Sequence, residues 1–145
     1  MGAWLCGVGH AAADAERATL TVNVSELRNS KGNVAVALFD SPSAFPDQQR
    51  ALVGKLAKID GRTASLKFVG LKPGTYAVAV LHDENRNDKM DFNLLGMPLE
   101  GYGFSNDAQV MFAPPSFDEA AFRLLPRASQ ISIPMHYFSI AGFSP

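Results

Sequence analysis

Residues 64–82, ASLKFVGLKPGTYAVAVLH, decide the fold. ASLKFVG (64–70) alternates apolar and polar side chains, with Leu66 and Phe68 directed inward, which is the period of a half-buried strand. YAVAVLH (76–82) is the most continuous apolar strand of the chain. Between the two, Pro73-Gly74 fits a turn, with proline fixing φ at the second position and glycine supplying φ > 0 at the third.

The same reading extends to both sides. ATLTVNVSEL (18–27) alternates cleanly, with Leu20, Val22 and Val24 on one face and Thr19, Thr21, Asn23 and Ser25 on the other. Asn29 to Asn33, containing Gly32, is expected as a short hairpin connection. VAVALFD (34–40) is apolar on both faces, as a central strand would be. Pro42 and Pro46 mark a loop, and Asp47 to Lys58 is expected to hold a short helix. Downstream, Gln109 to Ala113 is expected as a short strand broken by Pro114-Pro115. Ser116 caps one helical turn that leads into a strand. SQISIPMHYF (129–138) closes the domain with Ile131, Ile133, Met135 and Tyr137 facing one way, and Pro134, which lacks an N–H, places it at a sheet edge. About seven strands, antiparallel turns and little helix predict an all-β fold, a single antiparallel β-sandwich of immunoglobulin-like kind over residues 16–145.

The composition suits that fold. The 145 residues are 47% hydrophobic and 19% charged, enough for one core without disulfides or metal staples. A net charge of −1 supplies no basic footprint for nucleic acid, and no apolar run is long enough to span a bilayer. Cys6 has no second cysteine with which to pair. Residues 1–15 read as a truncated signal peptide or a disordered tail. Ala11-Ala12-Ala13 and Ala13-Asp14-Ala15 offer small-x-small cleavage patterns after a short apolar patch, although no Lys or Arg precedes it. A cleaved signal would make the protein periplasmic or secreted.

The function candidate is the stretch that follows the apolar strand, HDENRNDKMDFNLLGMPLEGYGFSN (82–106). Loops this long inside a compact domain are usually functional or disordered, and this one is too rich in Leu, Phe, Tyr and Gly for simple disorder. Asp83, Asn85, Asn87 and Asp91 stand at positions 1, 3, 5 and 9 of a calcium-loop template. Alternate spacing lets their oxygens converge, and Ca²⁺ takes about 6–8 oxygens at about 2.3–2.6 Å. Asp88 replaces the template glycine at position 6, and Leu94 stands where a bidentate Glu belongs, so Glu100 is the candidate substitute. Calcium is therefore the candidate cofactor, with Asp83, Asn85, Asn87, Asp91 and Glu100 as its ligands. The competing reading is an Asx-rich turn, in which Asp and Asn side chains bond neighbouring backbone N–H groups.

Two stretches carry a family resemblance. FVGLKPGTYAVAV (68–80) resembles the strand–turn–strand signature of transthyretin-like and carboxypeptidase-regulatory-like sandwiches. Val36–Asp40, Gly70–Asn106 and Pro114–Phe122 resemble the recurring motifs of a bacterial family, domain of unknown function 2141. That resemblance implies a mostly secreted or periplasmic β-sandwich and brings no established activity. Such loops often carry Gly where Asp88 stands here.

The remaining side chains of the loop support weaker readings. His82, Tyr102 and Phe104 are candidate ligand contacts; the alternative is an alternating Gly–aromatic run that packs its rings over the sandwich. A hydrolase would use His82 as base and Ser105 as nucleophile, but Ser105 lacks a nucleophile-elbow context. His82 with His136 as a transition-metal pair lacks a third ligand. No catalytic residue is assigned. The expectation is an exported, non-enzymatic protein with a cation-stabilised binding loop at 83–106 and a protein or small-molecule partner. The alternatives are a small hydrolase or isomerase using His82 and Glu100, and a purely structural module.

Overall fold

The computed structural model describes residues 16–111 and 113–138. The signal-like segment 1–15 lies outside them. The described chain is mostly strand: β1 (Ala18–Ser25), β2 (Asn33–Phe39), β3 (Val53–Ala57), β4 (Ile59–Asp60), β5 (Thr63–Leu71), β6 (Gly74–Asp83), β7 (Gly101–Phe104), β8 (Phe122–Leu124) and β9 (Arg127–Pro134). One helical turn, α1 (Phe117–Ala120), precedes β8. Two sheets form, one in the order β4-β5-β1-β9 and the other β3-β2-β6-β7, with β8 also pairing with β6. Among the described residues no helix is long and apolar enough to cross a membrane.

The sheets face each other across one apolar layer. The first contributes Leu20, Val22, Val24, Phe68 and Ile133; the second contributes Val34, Val36, Leu38, Val78 and Val80. These are the inward positions of the alternating strands, as β1 illustrates by burying every second residue along its length. The second sheet is covered on its outer face too. Phe39, Ala77, Ala79 and Phe104 pack there with Phe45, Phe117 and Ala120 from the connecting segments. That double cover is why VAVALF and YAVAVLH carry no polar alternation: both faces of β2 and β6 lie under other side chains.

Several local expectations are corrected. The sandwich is not purely antiparallel, because β1 and β9 run parallel from Ala18–Arg127 to Ser25–Pro134. The link at Pro73-Gly74 crosses from sheet to sheet, since β5 and β6 lie in different ones, and Asn29–Asn33 is not a hairpin, because β1 and β2 do so too. The left-handed residue near the first link is Gly70 (φ 70), while Gly74 already belongs to β6. Asp47–Lys58 holds one 3-10 turn, Gln48–Arg50, and then β3 instead of a helix. Register with β2 decides this, Leu38 pairing with Val53 and Val34 with Ala57. Gln109–Met111 is not a strand; it follows a 3-10 turn at Ser105–Asp107, with Asn106 and Asp107 at positive φ. Ser116 does cap the helical turn, and β9 is an edge strand.

Candidate functional site

The long loop links two neighbouring strands of the second sheet, leaving β6 at Asp83 and returning at Gly101 of β7. Its base is laid on the β1–β2 link. Gly32 (φ 70) lies against the Asp83 carbonyl, so closely that a Cβ there would collide with it. Lys31 O accepts from His82 Nε2 at 2.8 Å. This fixes the tautomer: Nδ1 is left to accept from the Tyr137 hydroxyl at 2.6 Å, which itself accepts from Arg28 N–H at 3.1 Å. Burial raises the Tyr137 pKa, so the hydroxyl keeps the proton it donates.

Arg28 fastens the loop from the side. Its Nε donates to Glu84 Oε1 at 2.9 Å and its Nη2 to Leu99 O at 3.0 Å, while the guanidinium lies 4.7 Å from the centre of the Tyr137 ring. Asn29 donates to the other Glu84 oxygen at 2.9 Å. Burial opposes ionisation of Glu84, but these donors outweigh it and hold its pKa below the ordinary carboxylate value. The loop sequence contains no sign of this clamp, because Arg28 and Asn29 lie more than fifty positions upstream of Glu84.

The predicted cation ligands divide into two groups. Asp83 is fully buried, and its carboxylate accepts the N–H of Asn87 (3.1 Å) and of Asp88 (2.8 Å). The Asx-turn description fits this residue. Asp88 adopts the left-handed region (φ 64), the conformation that the template's glycine would supply. Asn85, Asn87, Asp91 and Glu100 come together further out. Asp91 accepts from Asn85 Nδ2 at 2.7 Å and from Asn87 Nδ2 at 2.8 and 2.9 Å.

Glu100 is buried beneath that cluster and ties the loop shut, accepting Glu84 N–H at 2.6 Å and Asp91 N–H at 3.3 Å. Its carboxyl neighbours that of Asp91. Burial and that contact raise the Glu100 pKa, while hydrogen bonding to Glu100 and then to Asn85 and Asn87 lowers that of Asp91. Among the described residues no three His, Cys, Asp or Glu side chains form a metal-holding group; the oxygen donors here are two carboxylates and two amides.

The other candidates are not brought to this point. Ser105 is buried opposite Val78, where its hydroxyl accepts Val78 N–H at 2.9 Å and donates to Ala120 O at 2.5 Å. His82 pairs with Gly101, four residues further along β6 or about 13 Å, so no base–nucleophile contact forms. His136 bonds Asp107 at 2.6 Å and not His82. Phe104 is buried against Phe45 at 5.8 Å, and Tyr102 lies 6.4 Å from Phe104. The glycines on either side of Tyr102 make room for the opposite face: a Cβ on Gly101 would enter the Tyr137 ring, and one on Gly103 would stand 2.7 Å from Ile133 Cγ2. The Gly–aromatic run is thus a packing device at the mouth of the loop.

Comparison with curated proteins returns no match. Among solved structures, a pilus-presented adhesin, Spy0125 (Cpa), aligns at 11% identity with a TM-score of 0.30, over 84% of this chain and 28% of that one, a likeness too loose to bear on fold or function. A family model described as "Uncharacterized protein conserved in bacteria (DUF2141)" matches residues 22–132, which include the entire loop and every strand except the start of β1 and the end of β9; the chain belongs to that family.

Proposed function

We propose that this protein is an exported, non-enzymatic β-sandwich of transthyretin-like kind whose 83–106 loop is a binding surface stabilised by a hard cation such as Ca²⁺. One observation carries the proposal: Asn85 and Asn87 converge on the Asp91 carboxylate, and Glu100 accepts the Asp91 N–H beside it. A divalent ion would be held by the Asp91 and Glu100 carboxylates. The two amides, turned about their last bond, would present oxygens where they now present N–H groups. Asp83 would act mainly by curling the backbone around that point. Carboxylate, amide and carbonyl oxygens suit a hard ion, and waters would complete its coordination. A non-enzymatic role is favoured because His82 and Ser105, the groups a hydrolase would need, are both engaged in backbone and tyrosine hydrogen bonds.

The test is thermal melting in calcium and in chelator, with elemental analysis of the purified protein. Calcium at about 100 times its Kd adds about 2.7 kcal/mol, a rise of several degrees for a domain of this size. Asp91→Asn should abolish the rise. Identical melts in the two buffers, together with no bound metal, would retire the cation. For export, fractionation of the native host should find the mature protein outside the cytoplasm, beginning at Asp14 or Glu16.

A further inference from the structure

The far end of the loop is a small hairpin. Leu99 N–H donates to Asp91 O at 2.8 Å, Phe92 pairs with Pro98, and Asn93 N–H donates to Met97 O at 2.9 Å. The Asn93 side chain secures the turn by accepting the N–H of Leu95 (2.8 Å) and of Met97 (3.0 Å). This stem presents an apolar tip, with Leu94 fully exposed and Leu95 75% exposed. The segment FNLLGMPL (92–99) carries no charge.

The same chain has an apolar hollow. On the outer face of the second sheet, Phe45, Phe117 and Ala120 pack with Ala37, Phe39, Ala77 and Ala79, and that cover stops short of β3. Ala35 pairs with Leu56 and Ala37 with Gly54, so all four positions share the outer face. Gly54 is exposed and Leu56 is 61% exposed. These residues floor a hollow of about 260 Å³, with Gln48 and Asp88 also lining it. Lys55 reaches the same hollow, but its amine is drawn across to β5, where it donates to Lys67 O at 2.8 Å. Because Asp88 belongs to the first limb of the long loop, the hollow opens at the foot of the loop whose tip bears the leucines.

Every copy thus carries an uncharged apolar projection and a recess with an uncharged apolar floor. A second copy supplies the complement of both, a net charge of −1 sets little repulsion between copies, and two-fold symmetry satisfies both features at once. The two leucines offer on the order of 300 Å² of apolar surface, and a pair in which each copy gives and receives a tip buries about four times that, reaching the ~1,200 Å² at which specific interfaces begin.

We infer that two copies associate about a two-fold axis, each seating Leu94 and Leu95 in the other's hollow at Ala35, Gly54 and Leu56. This names the partner of the loop's binding surface and rests on that reading, though not on its cation.

The experiment is sedimentation velocity of the full chain over a concentration series, in which the parent should pass from monomer to dimer. Leu94→Ser/Leu95→Ser should weaken the dimer by on the order of a hundredfold or more, because each buried leucine contributes about tenfold. Gly54→Val should weaken it comparably by filling the hollow; a Cβ there meets nothing closer than Val36 O at 3.9 Å, so the strand has room for the side chain. Mixed together, the two variants should recover a heterodimer through the one tip and the one hollow left intact, weaker than the parent pair. Val69→Ser, at an exposed apolar residue of β5, should associate like the parent. All the substituted positions are exposed, so the variants' melts should coincide with the parent's. Calcium response measured on the same samples separates failure of the cation from failure of the contact. Three results would overturn the inference: a monomer at every concentration, a dimer unchanged in the leucine variant, or a dimer that the leucine variant abolishes and Gly54→Val leaves intact, which would pair tip with tip.

Discussion

Replacing Gly101 with alanine places a methyl group inside the Tyr137 ring, with Cζ 2.6 Å and the hydroxyl oxygen 2.9 Å from the new carbon. Gly101 lies in β7 opposite His82, so the backbone cannot back away without breaking that pairing. The ring must move instead. Its displacement breaks the bond to His82 Nδ1 at 2.6 Å, the bond from Arg28 N–H at 3.1 Å and the stacking of the guanidinium at 4.7 Å. Two hydrogen bonds at about 1 kcal/mol each, with about 0.5–1 kcal/mol for the cation–π contact, give about 3 kcal/mol. Residual overpacking adds about 1–3 kcal/mol. The total is a large share of the ~5–15 kcal/mol typical of a domain, and it lowers the melting temperature by about ten degrees or more. Circular-dichroism melts and urea titrations of Gly101→Ala, Tyr137→Leu and the double variant would measure it. In the Tyr137→Leu background the added methyl should cost under about 1 kcal/mol, because the obstructing ring is gone. A Gly101→Ala protein melting within a degree or two of the parent would refute the packing account of the Gly–aromatic run.

Three further outcomes are expected. Val78→Asp buries a carboxylate between the sheets at a cost of several kcal/mol, enough to unfold the domain; a soluble variant with a cooperative melt would remove β6 from the core. Ser105→Ala leaves the buried Val78 N–H without its acceptor and should cost about 1–3 kcal/mol by urea titration, whereas loss of a catalytic activity with unchanged stability would restore Ser105 as a nucleophile. Burial raises the pKa of both Tyr137 and Tyr76, so above pH ~10 the unfolded chain ionises first and stability falls as pH rises. Tyr137→Phe should make that alkaline loss shallower in melts recorded across pH 9–11; an unchanged slope would show that Tyr137 does not retain its proton in the folded state.

Strands were legible wherever burial alone sets the pattern. β1 alternates because only one of its faces meets the core, and Pro134 marked an edge because a strand interior needs its N–H. Sheet membership was less visible, since a link such as Lys72–Pro73 has the same turn chemistry whether the chain folds back on its own sheet or crosses to the other. β3 was hidden for a related reason: Val53–Ala57 carries a weak pattern and owes its conformation to pairing with β2. In the loop, spacing brought Asn85, Asn87 and Asp91 to one point. It did not separate Asp83, whose oxygens are taken by backbone N–H groups, from the outer cluster. Arg28, Asn29 and Tyr137 left no mark there because their contacts with the loop are long-range.

The parallel union of β1 with β9 also governs the order in which the molecule can be assembled. Ala18 takes its place beside Arg127, so one edge of the first strand waits for more than a hundred later residues. A chain growing from its N-terminus can zip β1 to β5 and β2 to β6 well before that, but its first sheet stays one strand short until β9 emerges. Contacts so distant in sequence place the domain among slow folders, on the order of milliseconds to seconds. During that interval β1 exposes an open row of N–H and C=O groups, and a chaperone that holds extended segments would find its binding site there and lose it when the last strand closes.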